Sequence, residues 1–131
     1  MRYLKIVVLS VILAVLNTGC SSDIPSEIQD VGSEYLDMIY LAFTGKEDVE
    51  YMEIRRKGID FYSLSLDYYK EGYHEVEQFE KAFDHAHDLR TSTQKVVRDE
   101  DADYLFEFID DYNKMAELLD IDNQHYIEDE R

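Results

Sequence analysis

LFEFIDDYNKMAELL, residues 105–119, sets Leu105, Phe108, Ile109, Tyr112, Met115, Ala116 and Leu119 at spacings of three and four. That period lines the seven side chains along one face of an α-helix. Just upstream stand four acids, Asp99, Glu100, Asp101 and Asp103. Acids suit a helix N-terminus, whose unpaired N–H groups carry partial positive charge. The stretch from about 100 to 120 therefore reads as a helix that buries one stripe.

The same period recurs toward the N-terminus. Residues 74–97 carry Val76, Phe79, Phe83, Ala86, Thr93 and Val97 on one stripe, and residues 47–71 carry Met52, Ile59, Tyr62, Leu66 and Tyr69. A first stretch opens where Ser26 and Gln29 fit a capping box. It carries Ile28, Gly32, Tyr35, Ile39 and Ala42. Gly45 and Gly72 stand where helices should stop. Gly58 lies inside the second stretch, where glycine costs about 1 kcal/mol against alanine, so it marks a kink or a close helix crossing. No segment alternates as a strand does. Four amphipathic helices with short connections predict an all-α, up-down bundle over residues 28–122, followed by an acidic tail at 123–131.

A chain of 131 residues suits one domain. Thirteen Lys and Arg stand against 30 Asp and Glu, for a net charge of −17. That balance argues against nucleic acid as a partner, because binding phosphates needs basic patches. It also repels anionic lipid headgroups. Hydrophobic residues still make up 45% of the chain, enough for a core.

The first twenty residues follow another logic. Arg2 and Lys5 precede IVVLSVILAVL, residues 6–16. A membrane-spanning helix needs roughly 20 apolar residues, and a run of this length suits a signal peptide. Thr18 and Gly19 are small, and Cys20, the only cysteine, is followed by Ser21, Ser22 and Asp23. The arrangement resembles the signal peptide of bacterial lipoproteins, in which an aliphatic residue and two small residues precede the cysteine. Thr18, Gly19 and Cys20 match that pattern; Asn17 stands where leucine is usual, with Leu16 one residue further back. The resemblance covers residues 1–22. It implies cleavage between Gly19 and Cys20, which removes residues 1–19. It also implies a diacylglycerol on the Cys20 sulfur as the one covalent group, with no other cofactor. The chain would then sit outside the cytoplasm, anchored on a cell membrane's outer face, or on the outer membrane of a Gram-negative cell. Two acyl chains hold firmly where one binds only marginally. Residues 20–27 would form a short tether, whose last seven residues reach about 24 Å. Losing Arg2 and Lys5 takes the charge from −17 to −19. No internal disulfide can form, so stability must come from packing.

Few residues suggest chemistry. Glu80, Asp84, His87 and Asp88 share a helix face and could hold a divalent metal, although a solvated face is the more ordinary reading. His85 and His87 are two apart and point away from each other on a helix. Asp99, Asp101 and Asp103 imitate the start of a calcium loop, but Tyr104 and Asp110 stand where that loop requires Gly and Glu. Ser63, Ser65 and Ser92 lack a nucleophile motif, and there is no Gly-rich phosphate loop, so the chain reads as non-enzymatic. Tyr62, Tyr68, Tyr69 and Tyr73 are either core packing with hydroxyls at the rim or a contact surface. Arg55, Arg56 and Lys57, the one basic triplet after residue 20, are expected to pair with neighbouring acids.

The expectation is a lipid-anchored extracytoplasmic module that binds another envelope protein, with an exclusion or immunity factor as one subtype. A lipoprotein that binds a metal or small ligand is the alternative, and a weak cell-envelope enzyme comes third.

Overall fold

The computed structural model describes residues 23–121 and 126–128. The signal-peptide, cleavage and lipidation readings at residues 1–22 lie outside them. Four α-helices follow one another: α1 (Ser26–Thr44), α2 (Tyr51–Lys70), α3 (Glu77–Thr93) and α4 (Leu105–Leu118). Short 3₁₀ turns at Tyr73–Glu75 and Ala102–Tyr104 precede α3 and α4, and a π-helical turn, Gln94–Arg98, prolongs α3. No strand occurs among the described residues. No helix among them is long and apolar enough to cross a membrane.

Side-chain pairs give the directions. Tyr68, late in α2, donates to Glu27 at the start of α1, and Lys57 meets Glu34. Gln78, at the start of α3, reaches Leu118 at the end of α4. Neighbours are antiparallel, and the fold is the all-α bundle that the period predicts.

The glycine stops hold. Gly45 takes φ +71°, a left-handed backbone that side chains disfavour, and its N–H donates to the Ala42 carbonyl. The start of α1 differs from the expected capping box. Pro25 occupies the N-cap without a side-chain hydrogen bond, and Ser26 is already helical. Gln29 instead crosses the molecule. Its Nε2 donates to the carbonyls of Leu119 at 3.0 Å and Asp120 at 3.1 Å. Gln78 Nε2 donates to the Leu118 carbonyl at 2.8 Å. Two foreign side chains thus satisfy carbonyls at the end of α4 that have no partner within the helix. At its other end Asp101 accepts the Asp103 N–H at 3.0 Å and opens the 3₁₀ turn, so the α-helix itself begins only at Leu105.

The core closes on Leu36, Ile39, Leu89, Phe108, Tyr112, Met115 and Leu119, all fully buried. The expected stripe of α1 is inside from Ile28 to Ile39, and that of α4 from Phe108 to Leu119. The α2 stripe is not. Its buried face is Ile54, Gly58, Phe61 and Ser65, while Met52, Ile59 and Tyr62 stay 51%, 48% and 45% exposed. The reason is a close crossing with α1. A Cβ on Gly58 would stand only 3.0 Å from the Tyr35 ring, so this helix turns its small residues inward. The core also extends past both expected ends. Ile24, in the tether, is buried. So is Ile127, in the acidic tail, whose backbone is clasped by the Asn113 amide at 2.9 Å and 2.8 Å.

Candidate functional site

A cleft of about 350 Å³ opens between α2 and α3 beside Gly58. Its walls are the rings of Tyr35, Phe61, Tyr62 and Phe83; Asp84, His87 and Arg90 stand at its rim. Gly58 lines this cleft, and its missing side chain lets the Tyr35 ring pack closely against α2 there. Burial pushes the Tyr35 phenol well above its ordinary range, so it stays protonated at any physiological pH. On the outer side of the cleft runs the exposed ridge of Met52, Ile59 and Tyr62. Spacings of seven and three keep the three on one face of α2.

The four tyrosines separate into two contacts. Tyr62 and Tyr69 both stack on Phe83, with ring centroids at 5.4 Å and 4.7 Å. Tyr68 meets Tyr73 edge-on at 5.3 Å, and Tyr73 leans on Phe79. The Tyr68 hydroxyl donates to Glu27 at 2.7 Å, which raises its pKa because ionisation would break that bond. Of the four, Tyr62 alone is exposed; Tyr68, Tyr69 and Tyr73 are half-buried.

The acidic row on α3 makes no chelate. Asp84 and His87 share the cleft rim, Glu80 and Asp88 are exposed, and no three His, Cys, Asp or Glu groups converge as a metal needs among the described residues. Asp101 is occupied by the Asp103 N–H and Asp99 by Arg98, which lowers the Asp99 pKa. The basic triplet departs from expectation in part. Lys57 pairs with Glu34 at 2.8 Å, whereas Arg55 and Arg56 form no ion pair among the described residues.

A polar cluster of His85, Ser92 and Asp111 joins α3 to α4. Asp111 is buried between α3 and α4, and its Oδ2 accepts the Ser92 hydroxyl at 2.7 Å. Its Oδ1 lies 3.5 Å from His85 Nε2, which is also 3.1 Å from the Asp111 carbonyl. Burial raises the Asp111 pKa; the Ser92 bond and the His85 charge oppose that rise. Ser92 donates to the carboxylate and not to the imidazole. The geometry is therefore a clamp between two helices, not a nucleophile beside its base. The sequence does hold a signal for it: Asp111 falls three residues after Phe108 and four before Met115, within the apolar stripe.

No family model, curated protein or solved structure matches this chain.

Proposed function

We propose that this protein is a lipid-anchored, non-enzymatic interaction module that acts outside the cytoplasm. It would bind another envelope protein through the outer face of α2. The observation that carries the reading is the ridge of Met52, Ile59 and Tyr62. It stands exposed on a helix whose core face is already filled by Ile54, Gly58, Phe61 and Ser65. Three large apolar groups on one exposed helix face are how a helix offers anchors to a partner. Lipid at Cys20 supports the reading physically, because confinement to a surface raises the local concentration of both partners. Blocking a transfer or toxin apparatus, as exclusion and immunity factors do, is the subtype that this plan suggests.

Two variants test it. Ile59→Glu should leave the melting temperature within a few degrees and abolish crosslinking to the partner that the parent protein captures in envelope fractions. An unchanged crosslinking pattern would remove the ridge from the proposal. Cys20→Ala should move the protein from the membrane to the soluble fraction. Retention at the membrane would remove the lipid anchor.

A further inference from the structure

A second hollow, about 260 Å³, lies beyond Arg90. Two helix faces build it at matched spacing. Tyr51, Arg55 and Ile59 come from α2 at i, i+4 and i+8, and Arg90, Gln94 and Arg98 come from α3 and its π-helical turn at the same interval. An α-helix drifts steadily around its axis over such a series. Here the Asp99 N–H bonds back five residues to the Gln94 carbonyl at 3.1 Å, closing a wider turn. That turn holds back the drift and keeps Arg98 on the same side as Arg90. Turns of this kind occur often at functional sites.

The charge at this hollow runs against that of the whole chain. Four arginines fall among the described residues of a protein with a net charge of −17, and three of them line this one surface. Arg55 and Arg90 form no ion pair among the described residues. Arg98 is held in place, with Nε on Asp99 at 2.8 Å and its guanidinium over the Tyr51 ring at 5.6 Å. Asp99 offsets one of the three charges, which leaves two. The donors left over are guanidinium N–H groups, supplemented by the Gln94 amide and the Tyr51 hydroxyl.

We propose that this hollow binds a phosphate monoester whose organic part is apolar. Guanidinium forks match phosphate oxygens in geometry, and a net of two positive charges matches a phosphate monoester better than a single carboxylate. Arg90 lines the aromatic cleft as well as the hollow, so a phosphate held here places its substituent against Phe61, Tyr62 and Phe83. This site goes beyond the interaction reading and does not depend on it.

Titration calorimetry with phenyl phosphate, inorganic phosphate and benzoate tests the assignment. Phenyl phosphate should bind tightest. Arg90→Gln and Arg55→Gln should each weaken it about tenfold or more, the loss expected for a charged hydrogen bond. Arg56→Gln, next to the hollow but not lining it, should have no effect. Affinity should rise between about pH 5 and pH 7 as the ester gains its second charge. Vesicles carrying phosphatidic acid present the same group on a lipid. Arginine-dependent binding of the vesicles alone makes the ligand a lipid head, and binding of phenyl phosphate makes it a soluble ester. Absence of both, affinity that survives Arg90→Gln, or inorganic phosphate binding as tightly as phenyl phosphate would overturn the proposal. Ile59 and Tyr62 border both surfaces, but none of these variants replaces Cys20, Met52, Ile59 or Tyr62, so failure here leaves the anchoring and docking tests standing.

Discussion

Asp111 places a carboxylate where water is scarce, and the cost depends on pH. Its folded-state pKa is raised by burial, so the folded state holds that proton at pH values where the unfolded chain has released it. Stability from this group is therefore full below the unfolded value of 3.8 and declines as pH rises through the folded value. Asp111→Asn removes the titration but keeps an acceptor for Ser92. Urea unfolding between about pH 4 and pH 7 should show the variant gaining on the parent protein as pH rises. A constant difference across that range would mean that Ser92 and His85 compensate the buried charge in full. Gly58 is the residue at which the sequence and the structure meet most closely. Its cost to a helix advertised a special role, and the role is contact with the Tyr35 ring.

At the scale of the helix, most of what periodicity can show was legible. The stripes of α1 and α4 were readable because their inward faces carry large apolar residues. The face of α2 was not, because two of its four buried positions are Gly58 and Ser65, which a search for apolar residues passes over. The ring-lined cleft and the exposed ridge follow from that one rotation, so the candidate site was hidden by the same residues. The π-helical turn has no composition of its own in QKVVR, and the clamp of His85, Ser92 and Asp111 joins residues on two helices. The caps at the end of α4 are of the same kind. Gln29 and Gln78 hold carbonyls there from across the bundle. Gln29→Ala and Gln78→Ala should each cost about 1 kcal/mol, and hydrogen exchange should quicken first in the last turn of α4. Exchange that quickens evenly through all four helices would show that the caps serve global packing instead.

Over the whole molecule, charge opposes compaction. A net charge of −17 on 131 residues repels itself when folded, and the ion pairs among the described residues are few and exposed. Raising sodium chloride from about 0.02 M to 0.2 M shortens the Debye length to near 7 Å and should raise the melting temperature by several degrees. A flat or falling curve would give the balance to local pairs such as Lys57–Glu34. The burial of Ile24 carries a different consequence. With Cys20 acylated as proposed, four chain steps lie between the lipid-bearing residue and buried Ile24, which can cover at most about 14 Å. Under that proposal the start of α1 and the end of α4 would face the bilayer, and the 19 residues of α1, about 28 Å long, would point away from it. The arginine-lined hollow, built from the start of α2 and the end of α3, would ride at its outer end, turned to whatever approaches from outside.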